Sequence, residues 1–442
     1  MYTVIKPDTF TSSIMGNQGK KDVCYRWFQY VLKQECDDGI LLYNVLSCEM
    51  LFLTAVEVGE KSANEKLIEK WFLVPEGFED FSFAKKVKRI RQLVYKTDTR
   101  KKLMASIDRF WILTTTECNA RCFYCHESGI PQLSMSSEIA DDVLNYILKH
   151  GASKIHIMWY GGEPLVNLTA IDYISQGLLD HGIEFNSSMI SNGYMFDDER
   201  AHKAKTLWHL DEVQITLDGL EDTYNRVKAY VRKDDQSPFY VILGNIEVLL
   251  QQGIHVKIRM NLDEYNVDEL FALADLLLER FHDYKNCSIY SAPFLEDCLG
   301  TCYKRTEEKR RYVFQKYFEL NTILNQHGKL TRSELATTMN SEMRCIALAN
   351  VRVIFPDGKF AYCHDYQDGI IEGDIYENEP PIERRWEYAK CIPETAKCEQ
   401  CIRFPQCVRL EKCFNNKCND ELINEWVWTT RNEMIWAYEK NA

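Results

Sequence analysis

Residues 110–125 of this chain read FWILTTTECNARCFYC, and much of the expected fold follows from them. The first half, Phe110 to Thr115, is a run of aromatic, apolar and β-branched residues that is typical of a buried β-strand. The second half is a loop that carries Cys118, Cys122 and Cys125, with three and then two residues between them. The sequence predicts a strand that presents three thiols directly after its carboxyl end.

Strands and helices alternate along the chain that follows this loop. Such alternation implies a parallel β-sheet, and periodicity alone does not decide whether the sheet is open or closed into a barrel. The predicted strands are Ile155–Tyr160, Glu184–Ile190, Val213–Leu217 and Val256–Met260, and the predicted helices are Glu138–Leu148, Ala170–Leu179, Tyr240–Gln251 and Val267–Phe281.

Polar and glycine-containing motifs follow these strands, where parallel sheets and barrels place their active sites. The motifs are Gly161-Gly162-Glu163-Pro164, Ser191-Asn192-Gly193 and Asp218-Gly219. We therefore expect one edge of the sheet to collect the chemistry.

Three thiolates on one loop leave one iron of a cubane cluster without a protein ligand, because iron–sulfur clusters usually take four thiolates. S-adenosylmethionine (SAM) fits the open position, since its amino and carboxylate groups can chelate that iron. The competing interpretation is a zinc knuckle, which needs a fourth nearby Cys or His, and His126 is available for that role.

The Cys-x3-Cys-x-aromatic-Cys pattern resembles the signature of the radical SAM superfamily. The resemblance implies an α/β fold with a partial (β/α)6 TIM-like barrel and a 4Fe-4S cluster on the three loop cysteines. It also implies that SAM is cleaved to a 5'-deoxyadenosyl radical. By the same resemblance, the turn formed by Gly161, Gly162, Glu163 and Pro164 contacts the SAM amino group. By the same resemblance Tyr124 presents its backbone to adenine.

Further cofactor-binding residues follow from that resemblance: Ser191, Asn192, Thr216 and Asp218. Simple turn chemistry at strand ends is the alternative explanation of these motifs. Relatives hold the SAM carboxylate with an arginine soon after the Asp-Gly turn, and Arg226, Lys228 and Arg232 all fall in that window. Lys228 and Arg232 are the cofactor-binding candidates. Arg259 is another basic residue at a strand end, for which a salt bridge is an alternative role.

Length and composition limit the classes of protein to consider. The chain has 442 residues, of which 45% are hydrophobic, so two or three folded domains are expected. A formal net charge of −13 argues against binding to nucleic acid, which needs an excess of lysine and arginine. The absence of a signal peptide and of a long apolar stretch predicts a cytoplasmic protein without membrane contact.

The chain has 17 cysteines, and a reducing cytosol favours metal ligation over disulfides as their role. The C-terminal cysteines resemble the SPASM domain of many radical SAM enzymes, which holds up to two auxiliary 4Fe-4S clusters. The resemblance assigns one cluster to Cys398, Cys401, Cys407 and Cys418, and the other to Cys345, Cys363 and Cys413. The spacing around Cys413 and Cys418 departs from the family, so these two assignments can be exchanged, and Cys391 is a further candidate ligand. A zinc ribbon on Cys398 and Cys401 is the alternative.

A proton acceptor is expected next to Cys363. In relatives that mature sulfatases, an aspartate follows the second cysteine of the SPASM domain and acts as a base. His364 occupies that position here and Asp365 follows it, so both are candidate catalytic residues. Imidazole accepts protons near neutral pH, although a hydrogen bond to a neighbouring group is the commoner role of such a histidine.

Residues 1–102 are predicted to form a small α+β, winged-helix-like recognition domain with a hairpin at Ile40 to Thr54 and helices at Glu65–Phe72 and Phe83–Tyr95. An N-terminal module combined with a SPASM tail resembles maturases of ribosomally made peptides, which bind a leader peptide against a sheet edge; the hairpin would supply that edge. A merely structural extension is the alternative. The other predicted domains are a radical SAM core at 103–283, a mostly helical bridge at 284–340 and a loop-rich SPASM domain at 341–442.

These resemblances predict an enzyme that abstracts hydrogen from a precursor peptide and installs a thioether, a carbon–carbon crosslink or a ring. They also imply three 4Fe-4S clusters and an electron donor of the flavodoxin or ferredoxin type. The alternatives are a sulfatase-maturing enzyme that makes formylglycine, an iron–sulfur electron carrier or redox sensor, and a zinc-structured binding module.

Overall fold

The computed structural model of the chain describes residues 1–16, 18, 22–125, 127–231, 236–294, 306–330, 345–363, 371–377, 379–408, 411 and 418–439. The chain divides into two compact units. Unit 1 contains residues 1–102 and 383–442 together with 332–345, and unit 2 contains residues 103–331 and 346–382. The predicted SPASM segment, 341–442, is therefore divided between the two units.

Residues 1–103 form an α+β arrangement of six strands and three helices. In chain order these are β1 (Tyr2–Ile5), α1 (Thr9–Met15), β2 (Tyr25–Trp27), β3 (Val31–Cys36), β4 (Gly39–Asn44), β5 (Glu49–Thr54), α2 (Lys61–Glu69), β6 (Leu73–Pro75) and α3 (Asp80–Leu103). Four of the strands make an antiparallel sheet in the order β1-β5-β4-β3, and β2 pairs with β6.

The predicted hairpin at Ile40 to Thr54 is present as β4 and β5, but it does not supply an edge. Strand β4 pairs with β3 and β5, and β5 pairs with β4 and β1, so both hairpin strands lie in the centre of the sheet. The edges are β1 and β3. The sequence prediction was wrong here because β3 has charged and polar residues at Lys33, Gln34 and Glu35, which hid its strand character.

Alternating side chains of the central strands fill two cores. Tyr43, Met50 and Phe52 face a core that also contains residues from far along the chain, Phe404, Trp426 and Met434. Leu42, Leu51 and Leu53 point to the opposite face and pack with residues of α2 and the segment after it. Burial on both faces explains why this stretch reads as an almost continuous apolar run.

Unit 2 contains nine strands and seven helices in the described residues. They are β7 (Ile107–Thr115), α4 (Ser137–His150), β8 (Gly151–Gly161), α5 (Leu168–Asp180), β9 (Glu184–Ser191), α6 (Asp198–Thr206), β10 (Leu210–Leu217), α7 (Glu221–Lys228), α8 (Pro238–Gln251), β11 (His255–Leu262), α9 (Val267–Arg280), β12 (Cys287–Pro293), α10 (Glu307–Gln326), β13 (Val351–Ile354), β14 (Lys359–Ala361) and β15 (Gly373–Asp374).

The strands of unit 2 form one sheet in the order β12-β11-β10-β9-β8-β7-β13-β14-β15. Strands β7 to β12 are parallel and sequential, which confirms the predicted α/β fold with a partial six-stranded barrel. Helix α4 begins as its sequence predicts: the side chain of Ser136 accepts a hydrogen bond from the backbone of Ile139, and Val143 and Ile147 are buried on one face.

Strand β12 corrects the predicted bridge at 284–340, which was described as mostly helical. Residues Cys287–Pro293 pair in parallel with β11 over seven positions, so the sixth barrel strand lies beyond the predicted core boundary at residue 283. The strand was missed because its inward positions are polar or small, which removes the apolar run by which the other strands were found. Helix α10 accounts for the helical part of the segment.

The turn at Pro356-Asp357-Gly358 joins β13 and β14, two short antiparallel strands. Strand β13 also pairs in parallel with β7 and so extends the barrel sheet. The remaining described elements belong to unit 1: α11 (Glu383–Trp386), α12 (Lys397–Gln400) and α13 (Asp420–Glu439). None of the described helices is both long enough and apolar enough to cross a lipid bilayer.

Candidate functional site

The cysteine loop begins where β7 ends, as the sequence predicts. Cys118, Cys122 and Cys125 are all partly buried, and the backbone N–H of Cys125 donates to the carbonyl of Cys122 at 3.2 Å. The N–H of Ala120 donates to the sulfur of Cys118 at 3.4 Å. Burial raises the pKa of Cys118 to about 12, and the neighbouring thiols Cys122 and Cys125 add to that shift. The three thiols are therefore close enough to interact electrostatically.

This donor set fits an iron–sulfur cluster with one iron left open. Thiolates are the usual ligands of such clusters, and each binds a different iron. Among the described residues, no group of three His, Cys, Asp or Glu side chains has the arrangement that would hold a single metal ion. His126, which the zinc interpretation needs, lies outside the described residues.

The turn after β8 is fastened to the segment that precedes Cys118. The N–H of Gly162 donates to the carbonyl of Thr115 at 3.1 Å, and the N–H of Glu163 donates to the carbonyl of Glu117 at 2.9 Å. Gly161 has φ +125°, and a Cβ on either Gly161 or Gly162 would overlap these backbone carbonyls. The two glycines are needed because the two backbones approach so closely.

Glu163 is fully buried behind this turn. Its carboxylate accepts hydrogen bonds from the hydroxyl of Ser191 at 2.9 Å, from the N–H of Asn192 at 2.7 Å and from the N–H of Leu165 at 3.2 Å. Burial raises its pKa to about 7, although these donors pull it downward. A cationic ligand beside the carboxylate would favour its ionised form.

Asn192 connects the end of β9 to the cysteine loop. Its side-chain amide donates to the side-chain oxygen of Asn119 at 2.6 Å, and the backbone of Asn119 accepts from the N–H of Val231 at 2.9 Å. The N–H of Arg121 donates to the carbonyl of Lys228 at 2.8 Å. The loop is thus held from two directions.

A buried ion pair lies beside the loop. The ammonium of Lys228 is 3.0 Å from the carboxylate of Asp218, and it donates to the hydroxyl of Tyr124 at 2.8 Å. That hydroxyl donates in turn to Asp218 at 2.9 Å. Burial alone would lower the pKa of Lys228, but the charge of Asp218, with smaller contributions from Tyr124 and Cys122, raises it well above its ordinary value. Lys228 therefore carries a positive charge next to a predicted metal ligand.

Two asparagines that the sequence analysis did not select complete this cluster. The side chain of Asn261 donates to the Asp218 carboxylate at 2.9 Å, and that of Asn266 donates to the Asp218 carbonyl at 2.8 Å. Both are buried. Their only signal in the sequence was their position after a predicted strand.

The other predicted site residues are distributed as follows. Thr216 is half-buried on β10, opposite Arg259 of β11. Arg226 is exposed, and its guanidinium donates to Thr223 rather than pointing to the loop. Pro164 begins a short 3-10 turn that Glu163 caps. Arg232, His364, Asp365 and Cys413 lie outside the described residues.

The C-terminal cysteines of unit 1 form a second group. Burial raises the pKa of Cys401, and Cys407, Cys418 and Cys398 each add to that shift, so these four thiols lie near one another. The N–H of Thr395 donates to the sulfur of Cys398 at 3.4 Å. This is the set that the sequence analysis assigned to one auxiliary cluster.

Three further described cysteines, Cys345, Cys363 and Cys391, are predicted or candidate cluster ligands. Cys345 and Cys363 are both partly buried. Cys391 is exposed and accepts a weak contact from the side chain of Gln92 at 3.8 Å. Partial burial of its thiol raises its pKa; the charge of Lys88 opposes this shift, and Cys407 adds to it. Cys391 therefore lies near the four-cysteine group.

Comparison with known proteins agrees with this geometry. Residues 112–277 match the Radical SAM superfamily. This matched segment contains the cysteine loop, Glu163 and Lys228, and it is similar to radical SAM proteins.

Curated relatives that match in sequence include GTP 3',8-cyclases. The chain is 23% identical over 276 residues to the probable GTP 3',8-cyclase of Thermococcus kodakarensis, and the match covers 59% of this chain and 86% of that protein. It is 30% identical over 168 residues to the probable GTP 3',8-cyclase of Methanococcus maripaludis, covering 37% of this chain and half of that protein.

Two solved structures share the fold. The structure of anSMEcpe with bound AdoMet and the Kp18Cys peptide has a TM-score of 0.56 at 15% identity, covering 75% of this chain and 99% of that one. Streptococcus suis SuiB bound to the precursor peptide SuiA has a TM-score of 0.51 at 12% identity, covering 88% of this chain and 95% of that one. Both similarities concern the fold.

Proposed function

We propose that this protein is a radical SAM peptide maturase, which abstracts hydrogen from a residue of a ribosomally made precursor peptide and installs a crosslink or ring. The observation that carries the radical chemistry is the meeting of three loop thiols, the buried carboxylate of Glu163 and the buried ammonium of Lys228 at the carboxyl ends of parallel strands. The peptide substrate is supported by the fold similarity to SuiB bound to SuiA and to anSMEcpe bound to Kp18Cys.

In this proposal Cys118, Cys122 and Cys125 hold a 4Fe-4S cluster. When bound, that cluster supplies the electron that cleaves SAM to methionine and a 5'-deoxyadenosyl radical. Glu163 accepts the SAM ammonium, since it is a buried carboxylate that has no cation within hydrogen-bonding distance among the residues that the structure describes. Lys228 binds the SAM carboxylate, because it alone among the described basic candidates after Asp218 lies against the loop.

The remaining predicted residues take supporting roles in the proposal. Tyr124 presents its backbone to adenine, while its hydroxyl keeps Lys228 and Asp218 in place. Ser191 and Asn192 orient the carboxylate of Glu163. Thr216 and Arg232 remain proposed cofactor contacts, and His364 or Asp365 remains the proposed base.

Two auxiliary 4Fe-4S clusters are also proposed, one on Cys398, Cys401, Cys407 and Cys418 and the other with Cys345, Cys363 and Cys413. The electrostatic proximity of the first four thiols supports the first assignment. A flavodoxin or ferredoxin is the proposed electron donor, and the cytoplasm is the proposed location.

The leader of the precursor peptide is proposed to add a strand to the antiparallel sheet of unit 1 at β3. Of the two edges, β3 has six residues in regular register with β4, whereas the register of β1 against β5 is interrupted between Thr3 and Ile5. An uninterrupted edge offers a longer row of backbone donors and acceptors. Trp27 is partly exposed beside this edge, where the ammonium of Lys33 lies over its ring.

The test combines two measurements on the reconstituted, reduced holoenzyme. Liquid chromatography should show 5'-deoxyadenosine formed from SAM, and mass spectrometry should show that a small peptide encoded beside the gene loses two hydrogens when a bond is formed within it. The 5'-deoxyadenosyl radical would take one hydrogen atom, the proposed base would take a proton, and the remaining electron would pass to a proposed auxiliary cluster. Cleavage of SAM with no change in any neighbouring peptide would overturn the peptide assignment. Complete failure to cleave SAM would instead favour an electron carrier or redox sensor.

Two other substrates have specific support, and each should be tested in the same assay. The fold similarity to anSMEcpe supports the alternative of sulfatase maturation, which would convert a Cys or Ser peptide to formylglycine. The curated relatives support GTP. Turnover of either substrate above the rate with the neighbouring peptide would replace the proposed function.

A further inference from the structure

The inner face of the barrel sheet is polar along β10, β11 and β12. On β11 the alternate residues Val256, Ile258 and Met260 are fully buried on the outer face, where helices α8 and α9 contact the strand. The intervening residues therefore point inward. Matched across the three strands, the inward residues are Gln214, Thr216, Lys257, Arg259, Asn261, Ser288 and Tyr290.

The other part of the same inner face is apolar. One cluster of buried side chains spans β7, β8, β13 and β14 and the turn between the last two, and its members are Leu113, Tyr160, Val353, Phe355 and Ala361, with Trp111, Met158 and Ile190 packed against them. The register places Trp111 opposite Met158 and Ile190 opposite Gln214, so this cluster lies on the inward side. The barrel interior thus has an apolar wall and a polar wall.

Arg259 differs from the other cations of the polar wall. Lys257 is paired with Glu212 at 2.9 Å, and Lys228 is paired with Asp218. The guanidinium of Arg259 instead donates from Nε to the side-chain oxygen of Asn261 at 2.9 Å, and no ion pair joins it to another residue in the parts of the chain that the structure describes. It is half-buried, so its positive charge is only partly solvated. A partly buried cation of this kind is stabilised when an anion binds to it.

The position of Arg259 relates it to the reacting centre. Asn261 donates to Asp218, which holds Lys228 and Tyr124 beside the cysteine loop. Arg259 lies two residues before Asn261 on the same strand, which is about 7 Å deeper in the barrel. A ligand bound there would sit next to the proposed SAM site without occupying it.

From this geometry we propose that Arg259 binds a carboxylate of the substrate, with the guanidinium forming paired hydrogen bonds to its two oxygens and the apolar wall contacting the carbon chain. The inference rests on the proposed function, because it defines which peptide residue enters the barrel. The carboxylate belongs either to an aspartate or glutamate side chain or to the C-terminus of the peptide, and both present the same planar anion to the arginine.

The experiment measures binding of capped tripeptides to the reconstituted, SAM-loaded enzyme by equilibrium dialysis. Ac-Ala-Glu-Ala-NH2 supplies a side-chain carboxylate, Ac-Ala-Gln-Ala-OH supplies a terminal one, and Ac-Ala-Gln-Ala-NH2 supplies neither. The wild type should bind one of the two acidic peptides about tenfold more tightly than the neutral peptide, which corresponds to one charge-assisted contact. The acidic peptide that binds more tightly identifies the source of the carboxylate.

Three variants assign the preference to this residue. Arg259→Gln should remove it, Arg259→Lys should retain part of it, and Arg280→Gln should leave it unchanged, because Arg280 is partly exposed at the end of α9 and pairs with Glu247. Iron content and circular dichroism verify that each variant is folded. Equal binding of the three peptides, no measurable binding of any of them, or a preference that survives in Arg259→Gln overturns the inference.

The result is separable from the test of the proposed function. If the enzyme modifies its peptide but shows no preference for a carboxylate, the proposed function stands and the role of Arg259 falls. If the preference exists but no peptide is modified, Arg259 is an anion-binding residue of an enzyme with another substrate, and the peptide assignment falls.

Discussion

Glu163 and Lys228 are buried ionisable residues that both border the cysteine loop, but their electrostatic environments differ. Lys228 faces a carboxylate, and that charge outweighs the cost of its burial, so its pKa is raised and it is positively charged. The described donors that hydrogen-bond to Glu163 are neutral, and burial raises its pKa to about 7, although these donors and the charge of Lys228 lower it. A ligand that carries both an ammonium and a carboxylate would complement this pair of sites, and SAM carries both.

Glu163 predicts a pH dependence of stability. Its pKa is about 7 in the folded protein and about 4.5 when unfolded, so the folded state binds the proton more tightly. Its contribution to the free energy of unfolding is therefore fully present below about pH 4.5 and falls as the pH rises towards and through 7. Urea denaturation of the protein without SAM should show a larger loss of stability between about pH 5 and about pH 8 in the wild type than in Glu163→Gln.

The matched control for this experiment is Glu138→Gln. Glu138 is exposed in the first turn of α4, and its pKa is lowered by hydrogen bonds, first that from Ser136, so it stays ionised across the same pH window. That variant should keep the wild-type slope. Added SAM should flatten the slope of the wild type, because the ligand ammonium stabilises the carboxylate. Identical slopes in wild type and Glu163→Gln would contradict the prediction.

Lys228→Met should be strongly destabilising, because it leaves the carboxylate of Asp218, 1% exposed, without its cation. Removing one partner of a buried pair costs about 3–5 kcal/mol of the free energy of unfolding. The double variant Lys228→Met/Asp218→Asn should recover most of that stability, since no buried charge remains. Both proteins should bind SAM more weakly than wild type if Lys228 holds its carboxylate.

Denaturant titration and equilibrium dialysis with SAM separate the two roles. A double variant that regains stability but still binds SAM poorly would assign Lys228 to the ligand. Full recovery of SAM binding in the double variant would show that Lys228 has a structural role alone, and Arg232 would become the proposed ligand of the SAM carboxylate.

The sequence could locate the motif residues but not their partners. The three cysteines and Gly161 to Pro164 have fixed spacing, so they could be placed without coordinates. The choice between Arg226 and Lys228 depends on how α7 is rotated, and Asn261 and Asn266 approach Asp218 only because β10 and β11 pair in register. These contacts join residues far apart in sequence, and a single sequence carries no record of them.

At the level of elements, the site is built where turns after parallel strands touch one another. The turn after β8 is hydrogen-bonded to the end of β7, and the end of β9 is hydrogen-bonded to the loop after β7. Each turn therefore positions its neighbour. Displacement of one turn should therefore displace the predicted metal ligands that it positions.

Gly162→Ala tests this coupling. The new Cβ would overlap the carbonyl oxygen of Glu117, directly before Cys118, so the loop must move. Overpacking of this kind usually costs about 1–3 kcal/mol. We expect lower stability and loss of roughly one cluster's share of iron after reconstitution, measured as iron per chain.

Gly244→Ala is the control for this change. Gly244 lies within α8 and has no neighbouring atom where the Cβ would be placed, so alanine should stabilise the helix by up to about 1 kcal/mol and leave the iron content unchanged. Normal iron content in Gly162→Ala would show that the loop tolerates displacement of the turn.

Strands were predicted correctly where their residues form an apolar run, and they were missed where one face of the strand is polar or charged. Strands β7 to β11 were found from their apolar runs, whereas β12 has polar inward positions and β3 has charged ones. For the same reason, the prediction placed the hairpin of β4 and β5 at the edge of the N-terminal sheet, whereas these strands lie at its centre. Polar strand faces that line a barrel or border a surface leave too weak a pattern in the sequence.

At the scale of the whole molecule, the cysteine groups lie in different units. Cys118, Cys122, Cys125 and Cys363 belong to unit 2, while Cys345 and the group around Cys401 belong to unit 1. The proposed cluster on Cys118, Cys122 and Cys125 therefore lies in unit 2 and that on Cys398, Cys401, Cys407 and Cys418 lies in unit 1. Loss of either of these two clusters should leave the iron of the other in place.

Iron and acid-labile sulfide analysis tests the number of clusters. Three 4Fe-4S clusters predict about twelve irons per chain in the reconstituted wild type and about eight in the Cys118→Ala/Cys122→Ala/Cys125→Ala variant. About four irons in the wild type, with zinc present, would confine iron chemistry to the barrel and assign the C-terminal cysteines to zinc.

The core of unit 1 joins side chains from both ends of the described chain, since Tyr43, Met50 and Val87 share it with Phe404, Trp426 and Met434. During synthesis the first half of that core emerges from the ribosome long before its partners, while the barrel is still being made. At about 5 to 20 residues per second the wait lasts several tens of seconds. The nascent N-terminal segment must therefore remain incomplete, with part of its apolar face uncovered, until Phe404, Trp426 and Met434 have been added.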